Sequence, residues 1–302
     1  MGKAILVAGS LHYDVVVNAQ RLPYLDETLA GSGVRYIPGG KGLNQAVAAA
    51  VNGARTYMAG RIGDDMAAGS LSNWLSAQGV DSSLVQIGKG EASGMSVAIV
   101  NADGEYGAVV VSAANLAFVT DDISIPADTG VLVLQNEIDV EANIAMARKA
   151  RDAGAMVIIN AAPARPLPDA LAGLVDVLVV NRGEAAVMSG LAVDDIGGAM
   201  AAAARLCDSV GKVVVTLGAG GAVYMRAGGR AEHQPAFRAD VISAHGAGDF
   251  FIGALASQMA DGSDFGAAIH YAQAAAAIFV STEIDKRGGI RPVHIRARLG
   301  ED

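Results

Sequence analysis

The 302-residue sequence predicts an α/β protein: a doubly wound, mostly parallel central sheet flanked by helices, with a small β-sheet lid. Three observations carry that prediction. Short β-branched runs recur at 4–8, 56–61, 131–134, 156–160, 177–180, 213–217 and 222–225. Ala-rich segments of helical spacing separate them, at 43–51, 67–78, 141–153, 184–189 and 198–209. The strand runs are almost continuously apolar rather than alternating, as expected of strands covered on both faces by crossover helices.

The first run, Ala-Ile-Leu-Val-Ala, follows a single charge and turns polar at His12, Tyr13 and Asp14, so it reads as a buried strand and not a secretion signal. Two stretches then break the strand–helix rhythm. The first holds Pro23, the run Asp26-Glu27-Thr28 and the run Gly31-Ser32-Gly33. In the second, Asp103-Gly104 sits between two β-rich runs, a strong hairpin signal. These excursions, approximately 12–37 and 93–115, are expected to form a small antiparallel sheet that closes as a lid over the carboxyl ends of the main strands. No repeat or low-complexity linker interrupts the chain, so residues 1–302 are expected to form one domain.

Composition narrows the class of partner. Hydrophobic residues make up 52% and charged residues 18%, which specifies a well-buried globular protein. The net charge of -9 and the lack of any Lys/Arg block argue against nucleic acid or an anionic membrane surface as a partner. No apolar run approaches the ~18–20 residues needed to span a bilayer. One cysteine, Cys207, excludes an intrachain disulfide and suits a reducing, cytoplasmic setting; its apolar neighbours mark it as a core residue. His233, His270 and His294 show no metal-ligand spacing.

The strongest chemical signal is the run 243–256, where Gly246-Ala247-Gly248-Asp249 leads directly into an apolar helical stretch. Small residues at a helix start leave N–H groups free to face an anion, and Asp249 falls in the first turn. By itself such a carboxylate is as readily an N-cap as a base. A second glycine-rich run, Gly39-Gly40-Lys41-Gly42-Leu43-Asn44-Gln45, also opens a helix. Lys41 and Asn44 supply donors and an acceptor suited to a polyhydroxyl ligand. No Walker A pattern is present, and the turn after the first strand lacks the dinucleotide Gly-x-Gly-x-x-Gly pattern, which disfavours a nicotinamide-dependent dehydrogenase.

Taken together, these two runs resemble the amino- and carboxy-terminal signatures of the ribokinase-like (PfkB) carbohydrate and nucleoside kinases. Further landmarks of that family fall in order: Gly9-Ser10 with Asp14, Glu137, the turn from Asn160 to Pro163, the run Asn181-Arg-Gly-Glu184, and the run Thr216-Leu-Gly218-Ala-Gly-Gly221. The resemblance implies an ATP-dependent kinase that phosphorylates a hydroxymethyl group of a small sugar or sugar derivative. It implies Asp249 as catalytic base and the N–H groups of Gly246, Ala247 and Gly248 as an anion hole. Asp14, Gly40, Lys41, Asn44 and Glu137 match positions that hold sugar hydroxyls, and His12 stands where ribokinases usually carry an Asn. Asn181, Glu184, Thr216, Gly218 and Gly221 match the nucleotide side, with Glu184 serving Mg²⁺ through water. Gln273 is a candidate neighbour of adenine. A nucleoside kinase and a non-catalytic sugar or nucleotide sensor of the same fold are the alternatives, and a homodimer joined through the lid is compatible with its uncovered edges.

The resemblance has departures. Ser243, Ala244 and His245 stand where the family commonly reads Asp-Thr-Thr, and the first of those often supplies a carboxylate to a monovalent-cation site. Ser243 removes that charge, so a K⁺ requirement is left open. His245 could meet a phosphate when protonated or point elsewhere. The segment 281–287 is more charged than the family's short loop and differently spaced.

Overall fold

A computed structural model describes residues 2–102 and 106–301. In chain order its elements are β1 (Ala4–Ala8), β2 (His12–Asn18), β3 (Gly33–Gly39), α1 (Lys41–Val51), β4 (Thr56–Gly63), α2 (Met66–Ala77), β5 (Val80–Gly88), β6 (Met95–Val100) and β7 (Tyr106–Val111). There follow β8 (Thr129–Gln135), α3 (Val140–Asp152), β9 (Met156–Asn160), α4 (Asp169–Ala172), β10 (Val177–Asn181), α5 (Arg182–Ser189) and α6 (Ile196–Leu206). The chain finishes with β11 (Lys212–Thr216), β12 (Ala222–Arg226), β13 (Glu232–Gln234), α7 (Ala247–Ala260), α8 (Phe265–Val280) and α9 (Pro292–Leu299).

Nine strands form the main sheet in the order β13-β12-β11-β10-β9-β8-β1-β4-β5. From β5 to β11 all neighbours are parallel, and β12 and β13 add an antiparallel edge. Alternate residues of each strand feed separate cores on the two faces. In β1, Ala4, Leu6 and Ala8 pack with α3 and α6, while Ile5 and Val7 pack with α1, α2, α7 and α8. All five are buried, which explains why this strand reads as a continuous apolar run.

The edge strands were less legible. β5, Val-Asp-Ser-Ser-Leu-Val-Gln-Ile-Gly, was not expected from sequence, because an edge strand needs no continuous apolar run and this one exposes polar residues. The second sheet has the order β3-β2-β6-β7, with β2 antiparallel to β3 and parallel to β6, and β6 antiparallel to β7. The expected turn residues Asp103 and Gly104 lie outside the described residues, although Val100 of β6 pairs with Tyr106 of β7 on either side of them. Cys207 is buried at the end of α6, where its Sγ lies 3.6 Å from the Met225 carbonyl oxygen, and burial pushes its thiol pKa up. Such a thiol is unreactive. Among the described residues, no helix is long and apolar enough to cross a membrane, and no group of three or more His, Cys, Asp or Glu could hold a metal ion.

One close approach positions the rest. A Cβ at Gly253 of α7 would lie 2.4 Å from the Ala48 Cβ and 2.5 Å from the Ala49 backbone nitrogen, both on α1. Glycine there lets the two helices touch backbone to backbone. Gly253→Ala is therefore expected to force them apart and cost about 1–3 kcal/mol of stability through overpacking. Urea unfolding of the variant, with its slope m compared with that of the wild type, checks this.

Candidate functional site

The glycine-rich runs become the starts of α1 and α7, and they face each other because those helices pack together. Gly246 caps α7 with φ of +79°, in the left-handed region that glycine enters without steric cost. The turn it makes frees the backbone beyond it. The N–H groups of Gly248 and Asp249 have no acceptor among the described residues, whereas the Ala247 N–H donates to the Ala244 carbonyl at 3.1 Å. Of the expected trio Gly246, Ala247 and Gly248, Ala247 alone has its N–H taken within the described residues, and Asp249 adds a further free donor.

Asp249 is half-buried in the first turn of α7. Two amides of α1 hold its carboxylate: Gln45 Nε2 donates to Oδ1 at 2.9 Å and Asn44 Nδ2 to Oδ2 at 3.3 Å. Burial raises the Asp249 pKa above the ordinary carboxylate value; the Lys41 charge and the Gln45 and Asn44 hydrogen bonds pull it back, while the Glu137 charge pushes it up. The outcome is a carboxylate kept basic by desolvation yet held in a fixed direction.

Gln45 was not singled out from sequence. It lies on the buried stripe of α1 with Gly42, Ala46 and Ala49, and it also donates to Asn160 Oδ1 at 3.2 Å at the end of β9. A polar residue within an otherwise apolar helical stripe was the available signal. Ser10 follows β1 within the Gly9-Ser10 run. Its hydroxyl donates to Glu137 Oε2 at 2.5 Å and accepts from the Gly42 N–H at 3.2 Å. Glu137 Oε2 also accepts the Lys41 N–H at 2.9 Å, so this carboxylate satisfies the first turn of α1 from across the cleft. The Lys41 ammonium forms no ion pair with a described residue, although its charge acts on both Asp249 and Glu184.

On the small sheet, His12 and Asp14 share one face of β2. Asp14 Oδ1 accepts the Ser96 N–H at 2.9 Å, and its Oδ2 would lie 2.1 Å from a Cβ at Gly39, next to Gly40. His12 is 3% exposed, and its Nε2 has no partner among the described residues. A buried imidazole nitrogen without a partner is one that a ligand hydroxyl could satisfy.

The remaining candidates lie where the parallel strands end. Asn181, at the end of β10, caps α5: its Oδ1 accepts the Glu184 N–H at 2.9 Å and Glu184 Oε2 accepts the Asn181 N–H at 2.8 Å. This box commits one Glu184 oxygen. Burial raises the Glu184 pKa, the Asn181 N–H and Lys41 lower it, and Asp249 raises it, so Glu184 shares an electrostatic neighbourhood with Asp249. Thr216 ends β11 and its hydroxyl lies 3.4 Å from the Val180 carbonyl. Beyond it Gly218 and Gly221 both have positive φ around a tight 3₁₀ turn. Gln273 is buried in the middle of α8, and among the described residues no hydrogen bond ties it to these loops. His245 is exposed, with its N–H 3.4 Å from the Ser243 hydroxyl.

A crevice at the carboxyl ends of parallel strands, with free helix-start donors beside a basic carboxylate, suits in-line transfer of an anionic group to a hydroxyl. Comparison with known proteins agrees. Residues 3–286 match the family described as pfkB family carbohydrate kinase. A ribokinase of Haemophilus influenzae is 32% identical over 286 residues, covering 93% of each chain, and a deoxyribokinase of Salmonella typhi is 32% identical over 283 residues, covering 92% of each. The structure of Arabidopsis thaliana ribokinase complexed with ribose and ATP superposes with a TM-score of 0.92 at 28% identity, covering 99% of each chain.

The raised Asp249 pKa has a stability consequence with a definite sign. The folded state holds this proton to higher pH than the unfolded chain, so the group's contribution falls as pH rises from the unfolded pKa through the folded one. Asp249→Asn cannot titrate. The melting temperature of Asp249→Asn minus that of wild type is therefore expected to increase from acid to neutral pH, as read by thermal unfolding at several pH values. A difference that shrinks with pH contradicts the burial account.

Proposed function

This chain belongs to the pfkB family of carbohydrate kinases and is an ATP-dependent sugar kinase; from that premise we propose that it phosphorylates a hydroxymethyl group of a small sugar, with Asp249 as the base. The observation that carries the proposal is the Asp249 carboxylate, desolvated at the start of α7 and aimed by Asn44 and Gln45. It accepts the proton of the sugar hydroxyl as that oxygen attacks the γ-phosphorus of ATP, and the bond to the β-phosphate oxygen breaks. The N–H groups of Gly248 and Asp249, with Gly246 beside them, stabilise charge on the transferring oxygens. Positioning and electrostatics supply nearly all of such catalysis.

Sugar hydroxyls are held, in this reading, by Asp14, Asn44 and Glu137, with Gly40 as close backbone and Lys41 spanning the sugar and phosphate sides. The relatives named ribokinase and deoxyribokinase favour a sugar of pentose size. His12 favours a hydroxyl pattern different from ribose, because its unpartnered, buried Nε2 needs a partner of its own. Asn181, Glu184, Thr216, Gly218 and Gly221 hold the nucleotide, with Gln273 toward the adenine. The uncommitted Glu184 oxygen fits a water-mediated Mg²⁺ site, where the ion would neutralise phosphate charge.

The small sheet serves as the lid that keeps water from the γ-phosphate. Its outer face carries a row of Tyr36, Val15, Val97 and Val109 in register across all four strands, and Tyr36, Val97 and Val109 are exposed. Apolar cross-strand rows of this kind favour burial against a second copy, so we assign the lid as a homodimer contact. Sedimentation of Val109→Lys as monomer and of wild type as dimer is the expected result; a monomeric wild type removes the assignment.

ADP release measured across pentoses, hexoses, polyols, sugar acids and nucleosides tests the substrate class. A pentose or related small sugar is expected to stimulate it, with ribose not the preferred one. Preference for a nucleoside would overturn the sugar reading. In the same assay Asp249→Asn is expected to lose about 10²–10⁴-fold in kcat while binding sugar nearly as wild type does by calorimetry. Unchanged turnover would remove Asp249 as base.

A further inference from the structure

Arg287 makes an unusual set of contacts immediately behind the anion-facing loop. Its Nη2 donates to the Ser243 carbonyl at 2.6 Å, its Nη1 to the His245 carbonyl at 3.0 Å, and its Nε to the Thr282 carbonyl at 3.2 Å. The guanidinium lies 4.0 Å from the centre of the Phe279 ring. Phe279 in turn stacks on Phe250 at 4.5 Å, and its ring edge is 3.4 Å from where a Gly246 Cβ would stand. Three backbone carbonyls from two segments thus converge on one fixed cation, wedged beneath the glycine that turns the chain into α7. Phe250 follows Asp249 directly, so the stack reaches the base as well as the anion-facing N–H groups.

Three carbonyl oxygens arranged this way are the donor set a monovalent cation would take. The residues present do not fit such an ion. Ser243 brings no carboxylate, and all three carbonyls already accept from one side chain that carries its own positive charge where they converge. We propose that Arg287 is a built-in replacement for a dissociable monovalent cation, positioning the 243–249 segment so that catalysis needs no K⁺. The guanidinium's planar fork suits the task, since its separate N–H groups donate to all three acceptors at once.

The proposal rests on the kinase reading above, and substrate-stimulated ADP release by the wild type tests that reading separately. The wild-type enzyme, desalted into choline chloride, is then assayed with K⁺, NH₄⁺ or Cs⁺ added, and its melting temperature is followed in parallel. Turnover and melting temperature are expected to be the same in every salt. Arg287→Ala is expected to lose about 10–100-fold in kcat through misplacement of the reacting groups, with little change in the sugar KM. Guanidinium ion at non-denaturing concentration is expected to restore part of that loss, a recovery that a merely structural defect would not show. Should the alanine variant fold poorly, Arg287→Lys keeps the charge without the three-way bridge and is expected to fall between the two in kcat. Stimulation of the wild type by K⁺ overturns the proposal. So does a folded Arg287→Ala with wild-type kcat, or one whose loss guanidinium leaves untouched.

Discussion

The backbone-close contact between α1 and α7 at Gly253 is the constraint on which the rest depends. Gly253 leaves no side chain between the α7 backbone and Ala48 and Ala49 of α1. That closeness brings the amides of Asn44 and Gln45 within hydrogen-bond range of Asp249, 205 and 204 residues away in sequence. It also sets two helix starts side by side at the end of the parallel strands. One is satisfied by Glu137 from across the cleft, and the other leaves N–H groups free. The asymmetry has a physical reading. The first helix start is closed by protein, and the second keeps N–H donors that an anion could take.

Charge at the site is balanced sparingly. The Lys41 charge acts on both Glu184 and Asp249, the Glu137 charge pushes against Asp249, and burial raises the pKa of both Asp249 and Glu184. Three carboxylates in a cleft would repel a polyphosphate unless other charges intervened. Lys41 and the helix-start dipole of α7 each offset part of that repulsion, and a divalent cation carried by the nucleotide would offset more. Arg287 adds a permanent positive charge behind the loop. An acidic protein can therefore bind ATP without any basic surface patch.

Much of this was legible in the sequence, for a reason that differs from element to element. β1, β9 and β10 are buried on both faces, so their apolar runs mark them directly, with ends within a residue of those observed. The edge strand β5 lacks that signal because half its surface meets solvent. The two glycine runs were visible because free backbone donors require small residues at a helix start. Gln45 and Arg287 were not visible as functional groups. Each acts on a partner that only the tertiary fold brings near, and nothing in the local pattern distinguishes Arg287 from its charged neighbours in 281–287. The engagement of the Ala247 N–H was equally invisible, since it follows from the turn bond to Ala244.

The central claim is that Asp249 is a base whose proton affinity is set by burial and restrained by Lys41. The pH dependence of kcat/KM for the sugar, in wild type and in Lys41→Met, tests it most directly. The account predicts an acid limb above the ordinary carboxylate range that moves to still higher pH when the Lys41 charge is removed. A limb at or below the ordinary value, or one that stays in place in Lys41→Met, would contradict it.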